Sequence, residues 1–266
     1  RELDPLWGAA LRFSLAAAVL FAIMAGLRLE LPRGRALAGA VLFGTLNFGG
    51  ALALIYFALV RLHGGVAQVL VSVVPLATLL IAAAWRQEQL TVAAAASTVP
   101  ALVGVTVLSW QALAGPIPVA YLLAAIGCAL CQAQATVLVR GFPPVHPVTM
   151  SAVGMTVGAG LLLAGSALLG DSWELPHLTE TRLAVAYLVF GGSVAAFVLF
   201  LVVLQRWSAS RTSYMTVLIP FITVVLSAWL DDEPIGIGLL LGGPLILAGV
   251  YFGALRPSRT PSPAGA

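Results

Sequence analysis

The sequence predicts an all-α membrane protein, a polytopic bundle of transmembrane helices formed by two inverted-topology repeats. Composition, recurring apolar runs and an internal repeat each point to this class. Of the 266 residues, 61% are hydrophobic and 9% are charged, whereas soluble domains contain about 25% charged residues. This polar surface is too small for a water-soluble globule, so the expected solvent of most side chains is lipid.

Apolar runs of about 20 residues, long enough to cross a hydrocarbon core of about 30 Å, recur along the whole chain. They predict nine transmembrane helices, at residues 6 to 27, 36 to 60, 64 to 85, 91 to 109, 118 to 140, 147 to 169, 182 to 204, 208 to 230 and 235 to 254. No soluble domain fits between these runs. The tail at 256–266, rich in proline and serine, is predicted to be disordered and cytoplasmic.

Arginine is distributed unevenly between the loops on the two sides of the predicted bundle. One set of loops holds Arg28, Arg33, Arg35, Arg86, Arg140, Arg206, Arg211, Arg256 and Arg259, and the other holds Arg1, Arg61 and Arg182. Because cytoplasmic loops are enriched in positive residues, the C-terminus is predicted to be cytoplasmic. Arginine without lysine, together with abundant alanine, favours a bacterial source and therefore the inner (plasma) membrane of a bacterial cell.

The chain repeats itself without gaps at an offset of 145 positions. Matched pairs include Pro75 with Pro220, Arg61 with Arg206, Glu88 with Glu233, Thr78 with Thr223 and Gly104-Val105 with Gly249-Val250. The first copy, residues 1–110, contains four spans and the second, 118–255, contains five, so one further helix is expected before residue 1. An odd number of spans in each copy inverts the second copy relative to the first, as in many secondary transporters.

Two corresponding stretches resemble the EamA-type transporters of the drug/metabolite transporter superfamily. They are VSVVPLATLLIAAAWRQEQL leading to LVGV, and TVLIPFITVVLSAWLDDEPI leading to LAGV. The opening DPLWGAALRFSLAAAVL resembles the family's second helix and places Arg12 at the matching arginine. The chain departs from the family pattern in lacking the first helix and in having Pro234 after the second glutamate.

The resemblance implies a ten-helix exporter or exchanger of small metabolites such as amino acids, nucleobases or drugs, working by alternating access. It also implies a cavity lined mainly by the family's third, fourth, eighth and ninth helices. Polar and aromatic side chains inside spans usually face the bundle interior or a wet cavity. The predicted cavity residues are Asn47, Tyr56, Gln68, Ser72, Gln132, Ser193, Phe197, Ser213, Tyr214 and Thr216; each could instead form an interhelical hydrogen bond.

Four other residues have two interpretations each. Pro75 and Pro220 should kink their helices, either as gating hinges or as packing kinks. Arg12, the charge deepest inside a span, either binds an anionic group or extends to the headgroups or a structural partner. Glu88 lies at the end of a span, where helix capping is the favoured role.

Several classes of function are disfavoured by the sequence. Without lysine a Walker A phosphate loop cannot form, and His63, His146 and His177 are too far apart to indicate a metal site. Cys128 and Cys131 are expected to be small buried hydrophobes. No cofactor, metal or nucleic acid is expected; the expected partners are the lipid bilayer and a small solute, and a monomer is favoured. An intramembrane enzyme and a non-transporting scaffold remain as rival functions.

Overall fold

The computed structural model describes residues 2–90, 92–108, 119–230 and 237–255, and the regular structure in these ranges is helical throughout. Six helices of 21 to 28 residues are long and apolar enough to cross a membrane: Pro5–Gly26, Arg35–Leu59, Gly64–Ala84, Val119–Arg140, Pro147–Leu169 and Thr179–Arg206. At about 1.5 Å per residue, each exceeds about 30 Å in length. The predicted polytopic helical bundle is confirmed.

Nine helices in the described ranges occupy the positions of the predicted spans. In chain order they are α1 (Pro5–Gly26), α2 (Arg35–Leu59), α3 (Gly64–Ala84), α4 (Thr98–Leu108), α5 (Val119–Arg140), α6 (Pro147–Leu169), α7 (Thr179–Arg206), α8 (Ala209–Leu230) and α9 (Ile237–Val250). One predicted span is wrong in detail. The continuous helix expected at 91 to 109 is divided at Ser97, and a short helix, Val92–Ala96, precedes α4.

Two of the long helices contain a π-helical turn at corresponding positions. In α2 this turn is Thr45–Gly50, and in α7 it is Phe190–Ala195. The two segments are 145 positions apart at both ends, which is the offset of the sequence repeat. Because π-helical turns are rare and are frequently found at functional sites, their coincidence directs attention to the place where α2 and α7 meet their neighbours.

Helix α1 lies along α6, and the two helices run in opposite directions. The Asp4 carboxylate, before the first turn of α1, accepts hydrogen bonds of 2.9 Å and 3.0 Å from the backbone and hydroxyl of Ser172, just after α6 ends. The rings of Trp7 and Trp173 stack with centroids 5.7 Å apart. Outside the spans, hydrogen bonds from Thr181, Leu178 and His177 lower the pKa of Glu2. These contacts join the start of α1 to the loop between α6 and α7.

Helices α4 and α9 also pack along each other in opposite directions, through glycines. A Cβ atom on Gly104 would lie 2.7 Å from the backbone nitrogen of Ile246, and one on Gly249 would lie 2.6 Å from that of Ala101. Glycine is therefore required for this backbone approach. The two contacts are reciprocal, because Ala101 and Ile246 correspond at the 145-residue offset, as do Gly104 and Gly249.

The prolines of α3 and α8 have different local structures. Helix α3 is interrupted at Ser72 and Val73, and its second part starts at Val74 with Pro75 in the first turn. Helix α8 remains α-helical through Pro220. A proline in the first turn needs no backbone N–H partner, whereas one inside a helix removes a hydrogen bond. The two matched prolines thus do not produce matched helix breaks.

Candidate solute site around Arg12

Arg12 lies on α1, seven residues after Pro5 and therefore about 11 Å from the start of the helix. Its Nε donates a 2.7 Å hydrogen bond to the Ser193 hydroxyl, and its Nη2 donates one of 2.7 Å to the Gly192 carbonyl. Both acceptors lie in the π-helical turn of α7. The sequence left three alternatives for Arg12: an anionic ligand, the lipid headgroups or a structural partner. The structure shows a structural partner, because the guanidinium is hydrogen-bonded to α7.

The Arg12 guanidinium has neutral partners. Within the described ranges no carboxylate lies within 4.0 Å of it. The acids of those ranges lie outside the central parts of the helices, at Glu2, Asp4, Glu30, Glu88, Asp171, Glu174 and Glu180. Removing a charge from water costs several kcal/mol unless an opposite charge or hydrogen bonds compensate for it. Arg12 is therefore a positive charge that the described residues only partly compensate.

A chain of aromatic rings begins beside the guanidinium and joins α1, α2 and α7. Cζ of Arg12 lies 5.0 Å from the centroid of the Phe13 ring, a distance typical of a cation–π contact. The Phe13 ring is 5.2 Å from Phe48, which in turn makes a 4.6 Å edge contact with Phe197. Phe13 and Phe48 are buried, whereas Phe197 is half-buried. The side of this cluster formed by Phe197 therefore keeps accessible surface.

Four of the predicted cavity residues, with Arg12, belong to this region. Ser193 and Phe197 contact it directly, as described. Tyr56 packs against the same hydrophobic core. Asn47 immediately precedes Phe48 in the π-helical turn of α2, is half-buried, and makes no side-chain hydrogen bond to another described residue.

The predicted residues on α3, α5 and α8 lie apart from this cluster, and several are bonded within their own helix. The Ser72 hydroxyl donates to the Val69 carbonyl at 2.6 Å, and the Ser213 hydroxyl to the Ser210 carbonyl at 2.7 Å. Such local bonds satisfy a hydroxyl in an apolar setting. Gln68, Thr216 and Gln132 are half-buried, and Gln132 Nε2 lies 3.5 Å from the Cys128 sulfur.

Tyr214 is used in packing between helices. Its hydroxyl lies 3.0 Å from the Ser97 hydroxyl, and its ring fills the space beside Gly253. The side chain is buried in a separate hydrophobic cluster with Ala101 and Ile246. This environment is that of an interhelical contact between α8 and the α4–α9 pair, away from Arg12.

The loop after α3 closes onto the second half of the chain. The Glu88 carboxylate accepts a 3.1 Å hydrogen bond from the backbone N–H of Ser210 and a second bond from the Ser210 hydroxyl, in the first turn of α8. Gln87 Nε2 donates to the Val137 carbonyl of α5 at 3.1 Å. A carboxylate at a helix N-terminus is stabilised by the helix dipole. The capping expected for Glu88 is found. The capped helix is α8, which the sequence did not identify as the partner of Glu88.

The equivalent helix end is the N-terminus of α3. His63 precedes the first turn of α3, and no side chain among the described residues caps that turn. At the sequence offset, Glu233 corresponds to Glu88, but it lies outside the described residues.

A cavity of about 550 Å³ opens near the face that carries Glu88, between the α5–α6 loop and the end of α7. Arg140, His146 and Gln205 supply its polar groups, and Leu201 and Leu204 part of its apolar wall. None of the predicted cavity residues lines it. Pro75, Pro220 and Arg12 are also absent from its walls.

Comparison with known proteins agrees with a membrane transporter. An uncharacterized transporter of Archaeoglobus fulgidus is 27% identical over 95% of this chain and 89% of its own length. The uncharacterized transporter YvbV of Bacillus subtilis is 27% identical over 62% of this chain and 55% of its own length. A solved crystal structure, 22% identical, has the same fold with a TM-score of 0.82 over 95% of this chain and 89% of that one.

The family comparison covers nearly the whole chain in two segments. Residues 1–110 and residues 119–254 match the model of the EamA-like transporter family. The family and the transporter relatives indicate a transport protein and not an enzyme. The chain belongs to the EamA-like transporter family.

Proposed function

We propose that this protein is a secondary carrier that exports or exchanges a small organic solute by alternating access between two inverted repeats, residues 1–110 and 118–255. The solute site lies around Arg12, where α1, α2 and α7 meet. Apart from Tyr214, which packs between helices, the other predicted cavity residues, on α3, α5 and α8, belong to the pathway leading to that site. Amino acids, nucleobases and small drugs are the solute classes to test first.

The reciprocal contact between α4 and α9 is the observation that carries this proposal. Gly104 meets Ile246 while Gly249 meets Ala101, so each copy presents the same surface to the other. Contacts of this kind are the signature of a two-fold axis. Because α4 and α9 run in opposite directions, as α1 and α6 do, such an axis lies in the membrane plane, the arrangement of inverted-repeat transporters.

The cap that Glu88 forms on α8 supports the alternating-access part of the proposal, because α8 corresponds to α3 in the other copy. In an inverted repeat, the N-termini of these two helices lie at opposite membrane faces. Glu88, in the first copy, caps the N-terminus of α8, at one of these two faces. One face is thus held closed by a contact between the halves. In the alternate state, this contact at Ser210 would be released.

Solute flux into proteoliposomes tests the function. The purified full chain, loaded with one unlabelled solute, should accumulate the same labelled solute from outside by exchange, above empty liposomes. Folded protein that exchanges no member of the amino acid, nucleobase and drug panel would contradict the carrier proposal and favour a scaffold.

The membrane topology can be tested separately. Cysteines replacing Arg61 and Arg206, in a background with Cys128 and Cys131 changed to alanine, should react with a membrane-impermeant maleimide from opposite sides. The positive-inside rule further predicts that Arg206 and the C-terminus face the cytoplasm. Labelling of both positions from one side would contradict inversion of the two copies.

A further inference from the structure

We infer that Arg12 binds a carboxylate of the transported solute, so that the substrates are organic acids or amino acids whose remaining part is apolar. This inference rests on the carrier function proposed above and names its substrate class. It begins from the charge of Arg12, which has neutral partners within the described ranges. A solute carboxylate supplies the missing opposite charge.

The two hydrogen bonds of Arg12 leave a suitable edge of the guanidinium unused. Nε and Nη2 point to Ser193 and Gly192 on α7. A guanidinium carries five N–H groups, so Nη2 has a second N–H beside the one bonded to Gly192. On the outer edge, this second N–H and those of Nη1 have no partner among the described residues. Two parallel N–H groups on one edge match the two oxygens of a carboxylate. The bonds to α7 therefore orient the group for a bidentate ligand.

The surroundings of Arg12 suit the rest of such a solute. Phe13 and Phe48 form a buried aromatic wall, and Tyr56, Asn47 and Phe197 each retain accessible surface. An aromatic or aliphatic group can pack on the rings, while the Tyr56 hydroxyl and the Asn47 amide can bond a second polar group. Such a combination distinguishes an amphipathic carboxylate from an inorganic anion, which has no apolar part.

The position of the second copy that is equivalent to Arg12 carries no charge. At the 145-residue offset, Arg12 corresponds to Val157, and Ser193 corresponds to Phe48. The equivalent contact is apolar, since Gly158 packs directly against Phe48. A single carboxylate per protein is therefore expected, bound on one side of the pseudo-two-fold axis.

Matched acids and amides provide the test. Thermal unfolding of the purified full chain is followed with phenylacetate against phenylacetamide and with indole-3-acetate against indole-3-acetamide. A ligand that binds the folded state raises the unfolding temperature by mass action. Both acids should raise it and bind about tenfold or more tightly than their amides, given the strength of hydrogen bonds to charged groups. Equal shifts for acids and amides, or no shift with either acid, would overturn the inference.

Substitutions of Arg12 test whether this residue causes the preference for acids over amides. Arg12→Gln should lose the preference for acids. Arg12→Lys should keep a weakened preference, because lysine retains the positive charge but lacks the two parallel N–H groups of the guanidinium edge. Arg61→Gln, at an exposed arginine in the turn after α2, is the matched control and should behave as wild type. If Arg12→Gln does not fold, Arg12→Lys and Ser193→Ala carry the test; an unchanged acid preference in both would overturn the inference.

Flux separates this inference from the carrier proposal. If acids and amides are exchanged equally, and substitution of Arg12 does not change this exchange, carboxylate recognition is contradicted and the carrier function stays intact. Arg12-dependent binding of acids without exchange of any solute would contradict the carrier function and leave the binding site intact.

Discussion

Two helix crossings that correspond in the repeat have opposite chemistry. Where α2 crosses α6, the large ring of Phe48 on α2 meets Gly158 on α6. Where α7 crosses α1, the equivalent positions are Ser193 on α7 and Phe13 on α1. The large residue is therefore on α2 in the first crossing, but on α1, the counterpart of α6, in the second. The small Ser193 side chain leaves its hydroxyl available to Arg12.

The difference teaches how two equivalent crossings of a repeated scaffold can differ in chemistry. The backbone is shared, since both crossings involve a π-helical turn at the same repeat position. The crossing of α2 and α6, the apolar crossing, is tightly packed, because Phe48 and Gly158 leave no space for a ligand. The crossing of α7 and α1 is the polar crossing. The polar crossing places a charge and two hydrogen bonds where its counterpart has only packing.

Enlarging the small residue of the apolar crossing should have the largest effect. In Gly158→Ala, the new methyl group would collide with the Cβ of Phe48 and approach its backbone carbonyl carbon to 3.1 Å. Overpacking costs about 1–3 kcal/mol and occasionally more. Because the colliding atoms of Phe48 are its Cβ and backbone, which no side-chain rotation moves away, we expect a loss of about 3 kcal/mol or more and a clear fall of the unfolding temperature in detergent. Gly160→Ala is the control on the same helix, because nothing lies within 4 Å of its Cβ position. Equal effects of the two substitutions would show that the crossing is loosely packed.

Removing the hydroxyl of the polar crossing should have an intermediate effect. Ser193→Ala leaves Nε of Arg12 without its acceptor, at a cost of about 1–3 kcal/mol, and should also weaken solute exchange. Ser151→Ala is the matched control, since the buried Ser151 hydroxyl on α6 has no hydrogen-bond partner among the described residues. Thermal unfolding and flux of both variants give the measurement. A Ser193→Ala protein with wild-type stability and flux would contradict the functional difference between the crossings.

A tyrosine outside both crossings should have the smallest effect. Tyr214→Phe removes the hydrogen bond to Ser97 but keeps the ring against Gly253, so the expected loss of stability is about 1 kcal/mol. Flux at saturating solute should remain unchanged, because Tyr214 packs between helices away from Arg12. A strong loss of flux in a stable Tyr214→Phe protein would instead place Tyr214 in the pathway.

Hydrophobic run length predicted the helices well because lipid imposes the length of a span. The predicted span at 64 to 85 became Gly64–Ala84, and that at 147 to 169 became Pro147–Leu169. Run length could not reveal the division at Ser97 or the interruption at Ser72, since apolar residues continue through both. Paired glycines near residues 50 and 191 were the available signal for the π-helical turns.

The sequence identified the polar residues of the candidate site more readily than their partners. Arg12 and Ser193 are 181 positions apart, and no local pattern connects them. Phe48 and Gly192 were missed because an aromatic or glycine residue in a membrane span is usually a packing residue. The sequence predicted that Glu88 caps a helix. It could not predict the partner Ser210, because that contact depends on how the two halves of the chain pack together.

Cross-linking across the Glu88–Ser210 contact is the most direct test of alternating access. In a protein with Cys128 and Cys131 changed to alanine, cysteines at 88 and 210 would be joined by a short bis-methanethiosulfonate linker and assayed for exchange in proteoliposomes. We predict that exchange falls to the level of empty liposomes and returns when a reductant cleaves the linker, while each single-cysteine protein remains active. Undiminished exchange by fully cross-linked protein would contradict the mechanism.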